Sequence, residues 1–196
     1  MKFDSVKKNL EKRGFSVSCF ESAEDAVSYL DAQIDGKSVG MGGSMTLGEI
    51  GIYERLCTHN EVHWHQKQGR DAIAAASTAE VYLSSANGLA ESGEIINIDG
   101  NCNRVASILY GHKKVYLVIG KNKLAKDYEA ALWRARNIAA PKNAQRLGRK
   151  TPCALRGDRC YDCNSPERIC RALTVLWEKP STEDMEIVLI GEPLGY

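Results

Sequence analysis

A mixed α/β domain with a mostly parallel sheet is the fold class this sequence predicts. Three observations carry the prediction. Short strand-like apolar runs recur along the chain, as in SVGM, EVYLSSA, VYLVIG and MEIVLIGE. Stretches with apolar residues at helical spacing separate several of them, and a helix between two strands implies parallel pairing through a right-handed crossover. The 196 residues, 43% hydrophobic and 26% charged, suffice for one globular domain with a substantial core.

The elements follow in order. Residues 4–13 carry Val6 and Leu10 on one helix face, and Gly14 is placed to end it. FSVSCF (15–20) reads as a strand. Ser22 caps a helix running to about Ile34, with Ala26, Val27, Leu30 and Ile34 as its apolar face. SVGM is a buried strand, and Thr46 with Glu49 forms a capping box that opens a helix through about Cys57. Residues 61–65 and 80–86 read as strands, with the alanine-rich 70–77 helical between them. GEIINID and CNRVASILY read as two strands around an Asp-Gly-Asn turn, followed by a strand over 113–120. Leu124, Tyr128, Ala131, Leu132 and Ala135 fit a long helix over 123–139, which Pro141 breaks. Ser165-Pro166-Glu167 is a further helix start, and LTVLWEK and MEIVLIGE are the closing strands. Residues 1–196 therefore read as a single domain with a cysteine-rich insertion at about 150–171.

Composition narrows the function classes. A net charge of +1 gives no global attraction to nucleic acid or to an anionic membrane. No apolar run approaches the roughly 18 residues that would cross a bilayer. The opening MKFDSVKKNL lacks the apolar core of a signal peptide, so a cytoplasmic location is expected. Residues 121–150 hold nine Lys or Arg against Asp127 and Glu129, a basic band that reads as a local anion site, a partner surface or a solvated helix face. Aromatic residues are not interleaved with it apart from Trp133, which argues against nucleic acid.

Four segments carry candidate chemistry. GMGGSMTLGEIG (40–51) is a glycine-rich loop between a strand and a helix; Gly42, Gly43, Ser44 and Thr46 could bring amides and hydroxyls to an anion. The alternative is a tight turn that tolerates glycine. Residues 84–104 are dense in small polar groups, with Ser84, Ser85, Asn87 and Gly88 at a strand end and Glu91 as a candidate base, nucleophile or orienting group, or else a pairing partner for an arginine. Arg136, Asn137 and Lys142 sit at the helix break and could hold a carboxylate or phosphate. Finally, Cys153, Cys160, Cys163 and Cys170 fall within 18 residues as C-x6-C-x2-C-x6-C. In a reducing compartment that clustering points to zinc or an iron–sulfur cluster, a redox-active Cys160/Cys163 pair, or packed thiols. His59, His63 and His65 have no acid or cysteine spaced with them in a ligand pattern; His63 and His65 would share one strand face.

The stretches MGGSMTLGEIG, TAEVYLSSANGLAESGEIINIDGN, RVASILYG, RNIAAPKNAQRL and CYDCNSPERIC together resemble the LUD (lactate utilisation) domain family, here in a cysteine-tailed form. The resemblance implies a layered α/β fold with helices on both faces of the sheet, like the NagB, ribose-phosphate isomerase (RpiA) and CoA-transferase group. It implies a pocket lined by Gly42, Gly43 and Ser44, with Ser84, Ser85, Asn87 and Glu91 across from it. It also implies a link to lactate oxidation, where redox partner subunits act, although the ferredoxin-like extension of the cluster-bearing subunit is not found in this chain. The expected ligand is a small organic anion, with positive charge from Lys142 or Arg136; homo-oligomers are compatible with this. Two alternatives stand beside it: an isomerase or CoA-transferase-type enzyme using Glu91, and a non-catalytic metal-sensing or interaction module built on the cysteines.

Overall fold

The computed structural model describes residues 3–196; residues 1 and 2 of the expected domain lie outside them. The first half of the chain runs α1 (Asp4–Lys12), β1 (Ser16–Phe20), α2 (Ala23–Gln33), β2 (Ser38–Met41), α3 (Met45–Glu49), α4 (Ile52–Leu56), β3 (Glu61–Trp64), α5 (His65–Gln68) and α6 (Ala72–Ala76). Next come β4 (Val81–Ser84), β5 (Gly88–Ala90), β6 (Ile95–Asp99), α7 (Asn103–Leu109), β7 (Lys114–Gly120) and β8 (Leu124–Ala125). The last third holds α8 (Tyr128–Arg134), α9 (Ala140–Arg146), α10 (Pro152–Arg156), β9 (Ala172–Leu176) and β10 (Asp184–Ile190).

Six strands form a parallel sheet in the order β1-β10-β7-β4-β2-β3. Alternation along central β7 sends Val115, Leu117 and Ile119 to one face and Tyr116 and Val118 to the other. Both faces are buried, which is why these strands read as continuous apolar runs. Ala26, Leu30 and Ile34 of α2, with Leu47, Ile52 and Leu56 of α3 and α4, cover one face. Val6 and Leu10 of α1 and Ile108 of α7 cover the other, together with Leu89 and Ile95 of a second, four-stranded sheet ordered β8-β5-β6-β9. The far side of that smaller sheet is closed by Ala131 and Ala135, which pack on Ala90 and Ile96. The layered mixed α/β class and the helices on both faces are as expected.

Six local expectations are corrected, each by a side chain or backbone preference that outweighs the pattern. Ser44, not Thr46, caps α3, its hydroxyl accepting from the Leu47 amide at 3.2 Å. Gly51, at φ +67°, then separates α3 from α4, so the helix over 46–57 is two short ones. The Gln68 side chain accepts the Trp64 amide at 2.7 Å and ends β3, so His65 begins a helix and does not share a strand face with His63. The Asp-Gly-Asn turn opens α7 instead of a hairpin: the Asp99 carboxylate accepts from the amides of Asn101, Cys102 and Val105 at 3.1–3.2 Å. The helix expected over 123–139 starts at Asp127, which caps the Ala130 amide at 2.8 Å, and it passes through Pro141. A π turn at Ala135–Ala139 shifts the hydrogen-bond register just where proline has no N–H to donate. Residues 165–171 form turns and no helix; the Glu167 carboxylate is drawn back to the Lys150 amide at 2.9 Å, and Arg171 bonds the carbonyls of Pro166 and Arg168.

Gly88 shows how tightly the smaller sheet meets α8. A Cβ there would stand 2.5 Å from the Ala131 carbonyl oxygen. Gly88→Ala is therefore expected to destabilise the fold by about 1–3 kcal/mol, read from denaturant midpoints at unchanged slope.

Candidate functional site

Open α/β sheets bind ligands at the carboxyl ends of their strands, near the point where the strand order reverses. Here the ends of β2, β4, β7 and β10 converge on one lysine. Lys123 lies in the single 3-10 turn that follows β7 and is 4% exposed. Its Nζ donates to Thr46 Oγ1 at 2.7 Å and to Ser85 Oγ at 2.8 Å. Thr46 comes from the helix after β2 and Ser85 from the end of β4. Ser85 spends its own proton on the Val118 carbonyl at 2.6 Å, so its lone pair faces the lysine.

Lys123 is held near other cations and, among the described residues, has no carboxylate as a hydrogen-bond partner. Burial pulls its pKa down to about 7, Arg134 and Arg104 add to the fall, and Glu49 opposes it. Burial also draws Arg134 down to about 10. Arg134 reaches the same corner from α8, with Nε on the Asn122 carbonyl at 2.8 Å and Nη1 on the Asn87 carbonyl at 2.6 Å. Arg104, buried on α7, ties the loop after β4 together: it donates to the Ile98 carbonyl at 2.8 Å, the Ser85 carbonyl at 3.3 Å, the Asn87 side-chain oxygen at 3.4 Å and, in a short contact, Asn97 Oδ1. Asp99 lies 3.6 Å from its Nε. Three cations against these carboxylates make the corner electropositive, and a buried positive corner favours an anion.

The segment after β10 straps this corner. The Leu194 carbonyl accepts from Thr46 Oγ1 at 3.3 Å, and its amide donates to Asn122 Oδ1 at 3.0 Å. Gly195 donates to Glu49 at 2.6 Å and accepts from Asn122 Nδ2 at 3.2 Å, while the Tyr196 carbonyl accepts from Arg134 at 3.1 Å. Main-chain oxygens thus stand where a ligand's oxygens would meet Thr46 and Arg134.

The residues expected in the pocket fall into two groups. Thr46 and Ser85 bond Lys123 directly. Gly42, Ser84 and Asn87 frame the corner: a Cβ on Gly42 would stand 2.9 Å from Arg104, Ser84 and the Tyr82 hydroxyl, and the Ser84 hydroxyl is buried with no partner among the described residues. Gly43 lies beside the His65 ring, Ser44 serves as the helix cap and Gly88 as a packing contact. Glu91 is exposed in the turn between β5 and β6, and its main chain bonds Ala125 and Asn9. Arg136 and Asn137 turn instead to the cysteine segment. Arg136 pairs with Asp162 at 3.4 Å, and Asn137 accepts the Cys160 amide at 3.2 Å. Lys142 is exposed on α9.

All four clustered cysteines line one cavity of about 300 Å³ between the irregular 157–171 segment, α9 and β9, together with Arg136 and Arg168. They are free thiols, each partly buried. Among the described residues, no group of three or more His, Cys, Asp or Glu is placed to hold a metal ion. The histidines are occupied elsewhere: His59 sits between Asp31 and Asp35 at 2.8 and 2.9 Å, which raises its pKa, and His63 is 3.2 Å from Glu61.

The family model described as the LUD domain matches residues 3–190. The chain belongs to the LUD-domain family. A crystal structure of a DUF162 family protein from Deinococcus radiodurans superposes with a TM-score of 0.52 at 12% identity, covering 95% of this chain and 94% of that one, and at that identity the likeness speaks for the fold. No curated protein matches the sequence. In this LUD-domain chain no helix of the described residues is long and apolar enough to cross a membrane.

Lys123 is the LUD-domain residue that sequence reasoning missed. In GKNKLAKD it looks like one more solvated lysine of the basic band. The signal that could have found it is position: it follows immediately on the carboxyl end of the most apolar strand. Arg104 and Arg134 were hidden for a similar reason, because helical arginines are ordinarily surface residues.

Proposed function

We propose that this LUD-domain protein binds a small organic acid, of the lactate or pyruvate type, at the carboxyl edge of the parallel sheet. The observation that carries the reading is the buried Lys123 ammonium, hydrogen-bonded among the described residues only to the Thr46 and Ser85 hydroxyls and crowded by Arg134 and Arg104. An ammonium has three protons to give, and two recorded acceptors leave one for a carboxylate. A carboxylate would neutralise the corner, and the hydroxyls could share a 2-hydroxy or 2-oxo group. Membership of the LUD family supports a link between that ligand and lactate-type metabolism. The four cysteines form the second part of the reading, a thiolate site for zinc or an iron–sulfur cluster beside α9; the seven free cysteines suit the cytoplasm.

In this reading the acid displaces the strap over 194–196. Gly195 holds φ +61°, and a Cβ there would stand 2.6 Å from Thr46 Oγ1, so Gly195→Ala should lift the strap. Titration calorimetry with lactate and with pyruvate checks this. Saturable binding is expected, tightened several-fold by Gly195→Ala, because less of the binding energy is spent on moving the strap. No saturable heat in either protein for either acid would overturn the reading.

A further inference from the structure

We propose that the Lys123 amine is a nucleophile that condenses with the carbonyl carbon of a 2-oxo acid to form an imine. The inference rests on organic-acid binding at this corner and narrows the reacting substrate to acids that carry a carbonyl. A buried lysine that only braces a fold is ordinarily paired with an acid. Among the described residues, Lys123 hydrogen-bonds two hydroxyls and no carboxylate. Burial, with Arg134 and Arg104 beside it, brings its pKa down to about 7, so near neutral pH a sizeable share of chains hold the free amine. Desolvation and neighbouring cations are two ways of readying a lysine for attack on a carbonyl.

The strap over 194–196 marks where the acid's atoms would lie. A Cβ built on Gly195 would stand 3.3 Å from Lys123 Nζ, within the approach distance of a reacting pair, about 3–3.5 Å. On either side of Gly195, the Leu194 carbonyl accepts from the Thr46 hydroxyl and the Tyr196 carbonyl accepts from Arg134. A 2-oxo acid in the strap's place would set its carbonyl oxygen on Thr46, its carboxylate on Arg134 and its C2 atom against the amine. Lactate could make the same polar contacts but offers no carbonyl carbon to attack.

The step balances without a further reactant. The ammonium gives one proton to solvent, and its lone pair forms the N–C2 bond while the carbonyl π electrons move to oxygen. That oxygen takes one proton from the nitrogen and one back from solvent. The C2–O bond then breaks, its electrons leave on water, and the restored nitrogen lone pair closes the C=N bond. One water is released, nothing is oxidised or reduced, and the iminium keeps the positive charge of the ammonium.

The test treats the full chain with pyruvate, quenches it with borohydride and locates the label by peptide mass spectrometry. Hydride adds to the imine carbon, so the expected product is one carboxyethyl-lysine per chain, at Lys123. Exposed Lys121 is the internal control and should be labelled at least about tenfold less. Gly195→Ala should speed the labelling several-fold and excess lactate should slow it, because both act at the same corner. Saturable pyruvate binding in calorimetry with no label on Lys123, or with Lys121 labelled equally, would overturn the nucleophile and leave organic-acid binding standing. No label, and no saturable heat with either acid, would overturn both.

Discussion

Lys123→Met is expected to weaken lactate or pyruvate binding roughly 10- to 100-fold, the equivalent of losing one charge-assisted hydrogen bond of about 1.5–3 kcal/mol. Stability should move the other way. Burial holds the folded-state pKa at about 7, below the 10.5 of an ordinary solvated lysine, so folding disfavours the ammonium. Between those two values the unfolded chain binds the extra proton, so the wild-type protein should gain stability as pH rises across that window. Below it both states are charged and the full cost of burying the ammonium, on the order of a few kcal/mol, remains. Methionine removes both the cost and the slope. Ligand affinity follows the opposite trend: a carboxylate needs the ammonium, so binding to wild type should fall as pH rises through about 7. Calorimetric titrations at several pH values read the affinity, and urea unfolding over the same range reads the stability. A Lys123→Met protein that binds either acid as tightly as wild type would remove Lys123 from the site.

Arg104→Met should be the most destabilising of the single substitutions considered for the LUD-domain chain, at about 3 kcal/mol. Removing one member of a buried ion pair commonly costs 3–5 kcal/mol. The lower end applies because Asp99 keeps the amides of Asn101, Cys102 and Val105 and is not left bare. The loss falls instead on the oxygens of Ser85, Asn97 and Ile98, each of which would lose the Arg104 donor in a dry interior, while Asn87 Oδ1 keeps the Ile98 amide at 2.7 Å. Methionine fills the space, so the effect measures the polar bonds more than a cavity. Denaturant midpoints give the size. A shift under about 1 kcal/mol would mean that water replaces the guanidinium, and that the loop after β4 is held by other contacts.

The fold was legible where burial on both faces leaves a plain mark. The runs that became β2, β4, β7 and β10 are mostly apolar, and α1 and α2 carry the matching stripes. The smaller sheet was not, because β5 and β8 are three and two residues long and no periodicity develops over so short a span. Its boundary was also misread at Asp99, where an aspartate and a glycine have the composition of a hairpin turn. Side-chain bonding to later amides, invisible in composition, sends the chain into a helix. The site divides in the same way. Thr46 and Ser85 were legible as hydroxyls at strand ends. The cations that give them a purpose were not, since a buried lysine and a surface lysine are the same letter. The four clustered cysteines line one cavity, but among the described residues no three of them are placed to hold a metal ion; the helix assigned to Cys170 did not form, because arginine bonds fold that stretch into turns.

Arg134 and Arg136 are two positions apart at the join between α8 and its π turn, and two positions along a helix point to nearly opposite sides. One guanidinium grips Asn87 and Tyr196; the other reaches Asp162 beside Cys160. The rod spanning 128–146 is thus a party wall between two rooms. Rolling it about its long axis to widen one of them narrows the other, so sequence drift along this wall is constrained from both sides at once.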